Sequence, residues 1–277
     1  MGLRISTNVS SLAAQRAITR NSDEIQRSSE RLANGDRINR AADDAAGLSI
    51  STHLNAQIRS LTQATHNANN AISLMQVAEG SLNEISNMIV RLRELSIQAG
   101  SDTLGDMERG FVNTEVQQLK REIDRVAQTT KWNTTKLLDG TTPDFSFQVG
   151  IFNNADDDRI TFIGSENVAT LAELGLSDVD VGYKTGAHEA LTKLDRAQTR
   201  VNGIRANLGS IDSRLHAAAT NLNIHYENFS ASKSRIRDAD MAVEVSNNVK
   251  DRMLLDSATS TLAQANQNPQ VALKLFG

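Results

Sequence analysis

Two adjacent carboxylates, Asp43 and Asp44, lie in the stretch INRAADDAAGLSIS and are the first candidates for metal or acid–base chemistry. A divalent cation requires several oxygen ligands, and no carboxylate cluster or EF-hand spacing surrounds this pair in the sequence. Aspartate is also a preferred residue at the start of a helix, where it accepts hydrogen bonds from free backbone amides and complements the helix dipole. We therefore expect Asp43 or Asp44 to begin a long helix, and we predict no metal site here.

The other residues capable of chemistry do not form a catalytic pattern. The acidic run ADDDR at 155–159 lacks the glycine and the distal glutamate of a calcium loop, so a solvated turn is favoured. None of the five histidines occurs at the HExxH spacing of a zinc protease. The chain has no cysteine, no nucleophile motif and no phosphate-binding GxxxxGK(S/T) loop. The sequence therefore predicts neither an enzyme nor a bound cofactor.

The overall composition bounds the remaining function classes. The 277 residues carry a net charge of −4, which provides no basic field to hold a nucleic-acid backbone. The N-terminal stretch MGLRISTNVSSLAAQR lacks the apolar core of a secretory signal, and no window of about 18 apolar residues predicts a membrane span. The absence of cysteine fits either a reducing compartment or export without oxidative folding. We expect no nucleic-acid partner and no membrane insertion, and export would require another route.

Two long segments carry apolar residues at every seventh position, which is the spacing of a coiled-coil seam. Only Pro143 and Pro269 interrupt the sequence, so very long helices are permitted. The first seam contains Leu54, Leu61, Ala68, Met75, Leu82 and Ile89, with Ser96 as its polar member. The second contains Leu194, Val201, Leu208, Leu215, Leu222 and Phe229. Since each stripe needs a partner, we expect these segments to pack together.

The region between these segments predicts a third helix and a hairpin. The stretch MERGFVNTEVQQLKREIDRVAQ places its apolar residues on one helical face. FSFQVGIF and RITFIG alternate in polarity and predict a β-hairpin at about 142–165 that turns at NNADDD. The remaining interval to Gly186, which contains TLAELGLS, is expected to be a short polar connection with one helical turn.

Weaker helical stripes occur at both ends of the chain. They contain Ile5, Val9, Leu12, Ile18, Ile25 and Leu32 at one end, and Met241, Val245, Leu255 and Leu262 at the other. Polar residues interrupt both stripes, which indicates helices that are marginal alone and become ordered on pairing or on assembly. Gly35 is expected to end the first helix. The predicted fold is mainly α: a long antiparallel coiled-coil or helical-bundle rod with a small β-hairpin, typical of an assembling subunit.

Six ordered stretches of the sequence resemble bacterial flagellin. They are ISTNVSSLAAQR, RLANGDRINRAADDAAGLSIS, VAEGSLNEISNMIVRLRELSIQA, EIDRVAQTTKWNTTKLLDG, NFSASKSRIRDADMAVEVSNNVK and STLAQANQNPQVALKLF. The resemblance covers nearly the whole chain. Flagellins commonly carry a large variable insertion after the hairpin, whereas only about twenty residues fill that place here. The resemblance therefore implies a short form without the variable outer domains.

The resemblance implies an extracellular structural subunit of the flagellar filament, secreted by the flagellar type III route and used for swimming. Residues 1–33 and 239–277 would pair as an inner coiled coil lining the channel, 34–44 and 233–238 would connect, and 45–232 would form the outer bundle. The implied partners are other flagellin subunits, the flagellar cap and hook-associated proteins, and an export chaperone on the C-terminal segment. The apolar stripes would serve subunit packing, and Gly35, Asp43 and Asp44 would mark the junction between inner and outer helices.

The resemblance also implies a contact for innate immune receptors of animal hosts. Matched to this sequence, the residues are Arg91, Leu95 and Glu115, and the implied partner is a host Toll-like receptor. The same positions would lie between protofilaments, so subunit packing is their primary expected role. By pattern alone, Arg91 is only a solvated flank of a seam leucine.

Two other functions stay open from the sequence. A hook–filament junction protein has similar termini and would occur in few copies per filament. An adhesin or receptor-binding module would use the hairpin and the VRLREL surface. Such a module would keep its binding after loss of residues 240–277, whereas a filament subunit would lose polymerisation.

Overall fold

The computed structural model describes the backbone of residues 7–276 and the side chains of residues 7–267. The α-helices in this range are α1 (Val9–Asn34), α2 (Ala45–Gly100), α3 (Asp106–Thr129), α4 (Lys184–Arg237) and α5 (Met241–Phe276), and a 3-10 helix spans Gly164–Glu166. The strands are β1 (Lys131–Trp132), β2 (Thr135–Lys136), β3 (Phe145–Gln148) and β4 (Arg159–Phe162), in two antiparallel pairs. The mainly α fold with a small hairpin that the sequence predicts is confirmed.

The chain divides into two compact units. One combines the described residues up to Gln57 with those from Asn228 onward, and the other contains Ile58–Glu227. We refer to them as the terminal unit and the central unit. Of the helices that the structure describes, none is long and apolar enough to cross a membrane.

The core of the central unit is built on the two heptad seams. The buried seam residues are Leu61, Ala68, Met75, Leu82 and Ile89 of α2, and Leu194, Val201, Leu208, Leu215 and Leu222 of α4. Polar pairs between α2 and α4 run in opposite order along the two helices: Arg93–Asp195, Ser86–Gln198 and Glu79–Arg205. Therefore α2 and α4 are antiparallel, and their apolar stripes are buried inside the subunit.

The polar member of the α2 seam is paired within its own helix. Ser96, the polar member of the α2 seam, is buried, and its hydroxyl donates to the Leu92 carbonyl at 2.8 Å. Such a bond to the preceding turn satisfies the hydroxyl without a partner from another helix. The seam therefore continues through Ser96 without an unpaired polar group.

A buried arginine closes the turn between α2 and α3. The Arg109 guanidinium donates to the Ala99 carbonyl at 2.9 Å and to the Ser101 carbonyl at 3.0 Å, and it pairs with Asp106 at 3.0 Å. The last carbonyls of a helix have no partner within the helix. Arg109 supplies donors to carbonyls at the C-terminal end of α2, and this fixes where α3 begins.

The interval before α4 differs from the expected polar connection. Leu174, Leu176, Val179 and Val181 are buried and belong to the core. Their backbone is held by α3, because the Lys120 ammonium donates to the Ser177 carbonyl at 2.8 Å and to the Val179 carbonyl at 2.7 Å. Desolvation lowers the pKa of Lys120. The prediction of a polar connection is wrong because these apolar residues follow no helix or strand period.

Candidate functional site

The terminal unit is built on the pairing of α1 with α5. The residues buried along the pairing, among those with described side chains, are Ser11, Ala14, Asn21 and Ser28 of α1, and Glu244, Asn248 and Ala265 of α5. Their spacing is that of a coiled-coil seam, but they are mostly polar or small. The fully buried positions of the seam therefore carry little apolar surface, and half-buried apolar residues lie beside them.

Hydrogen bonds hold this polar seam in one register. Ser28 Oγ donates to the Glu244 carbonyl at 3.3 Å, and the Glu244 carboxylate accepts from Arg31 at 3.4 Å. At the other end, Asn8 caps α1 by accepting from Ser11 N–H at 3.1 Å and donates to the Ala265 carbonyl at 2.8 Å. Each such bond contributes about 1 kcal/mol net. The pairing is therefore specific in register but modest in strength.

The outward faces of the same helices are apolar. Val9 is 61% exposed, Leu12 is 50% exposed and Val245 is 49% exposed. Other exposed apolar residues of α5 are Met241, Val243, Val249, Met253 and Leu254. Met241, Val245, Val249 and Met253 recur every four residues, the spacing of a side-chain ridge along a helix. We call these four residues the α5 ridge, and contiguous apolar exposure of this kind marks an interaction surface.

The predicted terminal stripes are split between the seam and the outward faces. Half-buried positions beside the seam are Ile18, Ile25, Leu32, Leu255 and Leu262, whereas Val9, Leu12 and Val245 point away from it. Leu54 and Phe229 are half-buried in the terminal unit. Ile5 lies outside the described residues. The sequence predicts Val245 and Leu255 on one stripe, but Val245 is exposed whereas Leu255 is half-buried beside the seam. The seam position seven residues before Leu255 is occupied by the buried Asn248.

The connections between the terminal and long helices pair with each other. Asp36 and Asp238 form an isolated antiparallel bridge, in which Arg37 N–H donates to the Arg237 carbonyl at 2.6 Å and Ala239 N–H donates to the Gly35 carbonyl at 2.8 Å. The Arg237 guanidinium also pairs with the Asp36 carboxylate at 2.9 Å. The Asp36–Asp238 bridge therefore ties the α1–α2 connection to the α4–α5 connection.

Gly35 ends α1 through its backbone conformation. It has φ of 73°, in the left-handed region, and its N–H donates to the Arg31 carbonyl at 2.8 Å. This conformation is strained for residues with a side chain, so glycine suits the position.

The paired aspartates have separate roles in the structure. Asp44 Oδ1 accepts from Gly47 N–H at 2.8 Å and so caps α2. Asp43 Oδ2 instead accepts from Asn39 N–H at 3.1 Å and from Arg40 N–H at 3.0 Å, and so closes the preceding turn. The pKa of Asp43 is lowered, chiefly by the hydrogen bond from Arg40 N–H.

Neither acidic run forms a metal-binding cluster. Across the described residues, no group of three or more histidine, aspartate or glutamate side chains is arranged to hold a metal ion. In the 155–159 run, Asp158 is buried and its Oδ2 accepts from Asn154 N–H at 3.0 Å. A side chain at Gly150 would place its Cβ 1.7 Å from Asp158 Oδ1. The Asp158 carboxylate therefore shapes the hairpin loop.

The residues matched to receptor contact are only partly on the surface. Arg91 donates to Glu115 through NH2 at 2.9 Å and to Glu94 at 2.9 Å, and all three side chains are about half exposed. The pKa of Arg91 is raised, first by the bond to Glu94 and then by that to Glu115. Leu95 is only 2% exposed. The prediction that Leu95 contacts a receptor is therefore wrong for the folded chain, because its side chain is enclosed in the core.

Comparison with known proteins gives consistent matches along the chain. The bacterial flagellin N-terminal helical region matches residues 5–142, and the bacterial flagellin C-terminal helical region matches residues 191–276. A flagellin of Halalkalibacterium halodurans is 39% identical over 273 residues, covering 98% of this chain and 99% of the relative. The flagellar filament 33 kDa core protein of Treponema phagedenis is 38% identical, covering 98% and 99%. The crystal structure of Bacillus cereus flagellin, 29% identical, covers 57% of this chain and 88% of that one with a TM-score of 0.51.

Proposed function

Since the chain belongs to the bacterial flagellin family, we propose that the outward apolar faces of α1 and α5 are the surfaces by which it packs against neighbouring filament subunits. As a flagellin, the chain is a structural subunit that polymerises with other flagellin subunits into the flagellar filament, outside the cell. The family is structural and not enzymatic. The match to filament proteins over 98% of the chain favours a filament subunit over a hook–filament junction protein.

The observation that supports the assembly surface is the distribution of polarity in the terminal unit. An ordinary helix pair buries its apolar stripe between the two helices and leaves polar residues outside. Here the seam contains Asn21, Glu244 and Asn248, while the α5 ridge is about half exposed. Burying such half-exposed side chains would contribute about 1 kcal/mol each. Contact with further subunits supplies that burial and stabilises the helix pair by mass action.

The central unit has a different part in this proposal. Its seam residues are buried inside one chain, so they stabilise the helical bundle of each subunit and do not contact a neighbouring subunit. We assign residues 1–33 and 239–277 to the channel-lining coiled coil, 34–44 and 233–238 to the connections, and 45–232 to the outer bundle. Gly35 and Asp44 would fix the ends of the first connection, because they terminate α1 and start α2.

Further partners are proposed from the family. Cap and hook-associated proteins would meet the ends of the polymer, and an export chaperone would cover the C-terminal segment before assembly. The exposed α5 ridge supports a chaperone on this segment, because an apolar surface of this kind requires shielding before it reaches its partner. A host Toll-like receptor would contact Arg91 and Glu115, whose side chains are about half exposed.

The assembly surface can be tested by placing a charge on the α5 ridge. Val249→Asp should raise the critical concentration for seeded polymerisation at least tenfold, because about 1 kcal/mol of apolar burial is lost and a charge is desolvated. Critical concentration would be measured by sedimentation after heated monomer is cooled and seeded. The folded content of the unpolymerised chain should change little, since Val249 is 45% exposed.

Asn247→Asp is the matched control, since Asn247 is an exposed polar residue of the same helix. It adds the same charge without removing apolar surface, and we expect at most a twofold change. An unchanged critical concentration in Val249→Asp would contradict the proposal. Equal losses in both variants would show that added charge alone, and not the apolar ridge, controls growth.

A further inference from the structure

A cleft of about 350 Å³ lies in the central unit between α2 and β3, at residues that the assembly proposal does not use. Its α2 side is formed by Asn67, Asn70, Ala71 and Leu74, which share one face of the helix. Ala71 and Leu74 are buried, whereas Asn70 is exposed. This side is therefore closed by buried apolar residues, and its accessible groups are the amides at its edge.

The opposite side of the cleft is aromatic. Trp132, Phe145 and Phe147 line it, and all three are half-buried. The rings of Phe145 and Phe147 are parallel within 3°, with centroids 6.1 Å apart. The chain has only 4% aromatic residues and a single tryptophan, so this concentration is unusual for its composition. The aromatic wall offers flat apolar faces beside the amide groups of α2.

The cleft is held open by bonds between its two sides. Asn67 Nδ2 donates to the Gln148 carbonyl at 3.1 Å, which ties α2 to the end of β3. Gln148 in turn accepts from Arg159 Nε of the paired strand β4 at 3.1 Å. Because these contacts are made within the chain, the cleft is formed before any ligand binds.

Three polar side chains of the cleft are available to a ligand, and one is Ser146, whose exposed hydroxyl has no partner among the described residues. Within the part of the chain that the structure describes, the Asn70 amide and the Trp132 indole N–H have no hydrogen-bond partner. The Trp132 indole nitrogen is open to solvent. An amide supplies donors and an acceptor, and an indole supplies one donor. The amide can donate to or accept from a hydroxyl group, and the indole N–H can donate to a hydroxyl or ring oxygen.

The described lining of the cleft carries no charged side chain, which favours a neutral ligand. None of its described lining side chains is ionisable, so nothing there would pair with a carboxylate, a phosphate or an ammonium group. Binding pockets of this kind combine apolar and aromatic walls with a few polar groups that fix orientation, at volumes of about 300–1,000 Å³. A neutral sugar fits these requirements, because its C–H faces pack on aromatic rings while its hydroxyls pair with amides.

We propose that this cleft binds a neutral saccharide, with the sugar packed on Trp132, Phe145 and Phe147 and bonded to Asn70. The site gives the filament subunit a ligand-binding function in addition to assembly. It lies within the central unit and does not depend on the terminal helices.

The single tryptophan makes the test specific to this cleft. The unpolymerised full-length chain would be titrated with methyl α-glucoside, methyl α-galactoside and N-acetylglucosamine up to roughly 100 mM. At least one of the three should give a saturable change in Trp132 emission, with matching saturation-transfer NMR signals from the sugar. Glucuronate and protonated glucosamine should give none, because their charge would be desolvated without a partner.

Matched variants locate the binding. Asn70→Ala should weaken the affinity about fivefold, the effect of one lost hydrogen bond, whereas the neighbouring Asn69→Ala should leave it unchanged because Asn69 does not line the cleft. The proposal is overturned if none of the three sugars gives a saturable response by either method, or if both variants weaken binding equally. It is also overturned if polymerised filaments lose the response, because a neighbouring subunit would then cover the cleft.

Discussion

Replacing Arg109 by alanine is expected to destabilise the central unit by about 3 kcal/mol. The guanidinium is buried and donates to the carbonyls of Ala99 and Ser101. Ala99 is fully buried, so water cannot replace the lost donor there. Hydrogen bonds from a charged group contribute about 1.5 kcal/mol or more each, and truncation also removes the packing of the aliphatic stem. The pair with exposed Asp106 adds little, because solvent screens it.

The loss would be measured by urea unfolding of the unpolymerised chain, followed by Trp132 emission, which reports only on the central unit. For a unit of this size, about 3 kcal/mol corresponds to a fall of roughly 6–12 °C in the thermal midpoint. Arg121→Ala is the control, because Arg121 is exposed on the same helix, and its effect should be within about 0.5 kcal/mol. If the two variants unfold at the same urea concentration, Arg109 does not close the α2–α3 turn and the reasoning fails.

Three further predictions concern the junction. Asp44→Ala should lower the free energy of unfolding in urea by about 1 kcal/mol, because it removes the α2 cap. The double variant Asp43→Ala with Asp44→Ala should slow seeded filament growth, and calorimetry should find no change in its metal affinity. Because the folded pKa of Asp43 lies below its ordinary 3.8, its stabilising effect is present above that value and lost as pH falls through the folded pKa. Asp43→Asn should therefore flatten the acid dependence of the unfolding midpoint; an unchanged dependence would contradict this. Gly47→Ala should lower the thermal midpoint despite the helix propensity of alanine, because its Cβ would lie 2.4 Å from Asp44 Oδ2 and 2.8 Å from Ile38 Cδ1.

The parts of the fold that follow apolar periodicity could be predicted from the sequence. Leu82 and Leu208 recur in seven-residue seams and are buried in the core. The hairpin also follows its alternation, with Phe145 opposite Phe162 in the register. In these regions each local pattern agrees with the tertiary packing, so burial follows directly from residue type.

The fully buried positions of the terminal seam could not be predicted in this way, because their residues are mostly polar or small. Asn21, Ser28 and Asn248 are polar, so the apolar pattern does not indicate that they are buried. The same pattern includes Val245, which is exposed in the structure. The buried cation Arg109 was missed for a related reason. Arginine and lysine are exposed in most proteins, and only the position of the carbonyls around them shows otherwise.

The terminal unit joins residues that are far apart in the sequence. Asn8 bonds to a carbonyl 257 residues away, and Arg237 pairs with a carboxylate 201 residues away. Contacts of such long range form slowly, and none can form until the distant segment is present. A chain that lacks α5 would therefore leave α1 without its seam partner. If the outward faces of α1 and α5 form the assembly surface as proposed, only a chain that carries both helices would offer the paired terminal helices to a growing polymer.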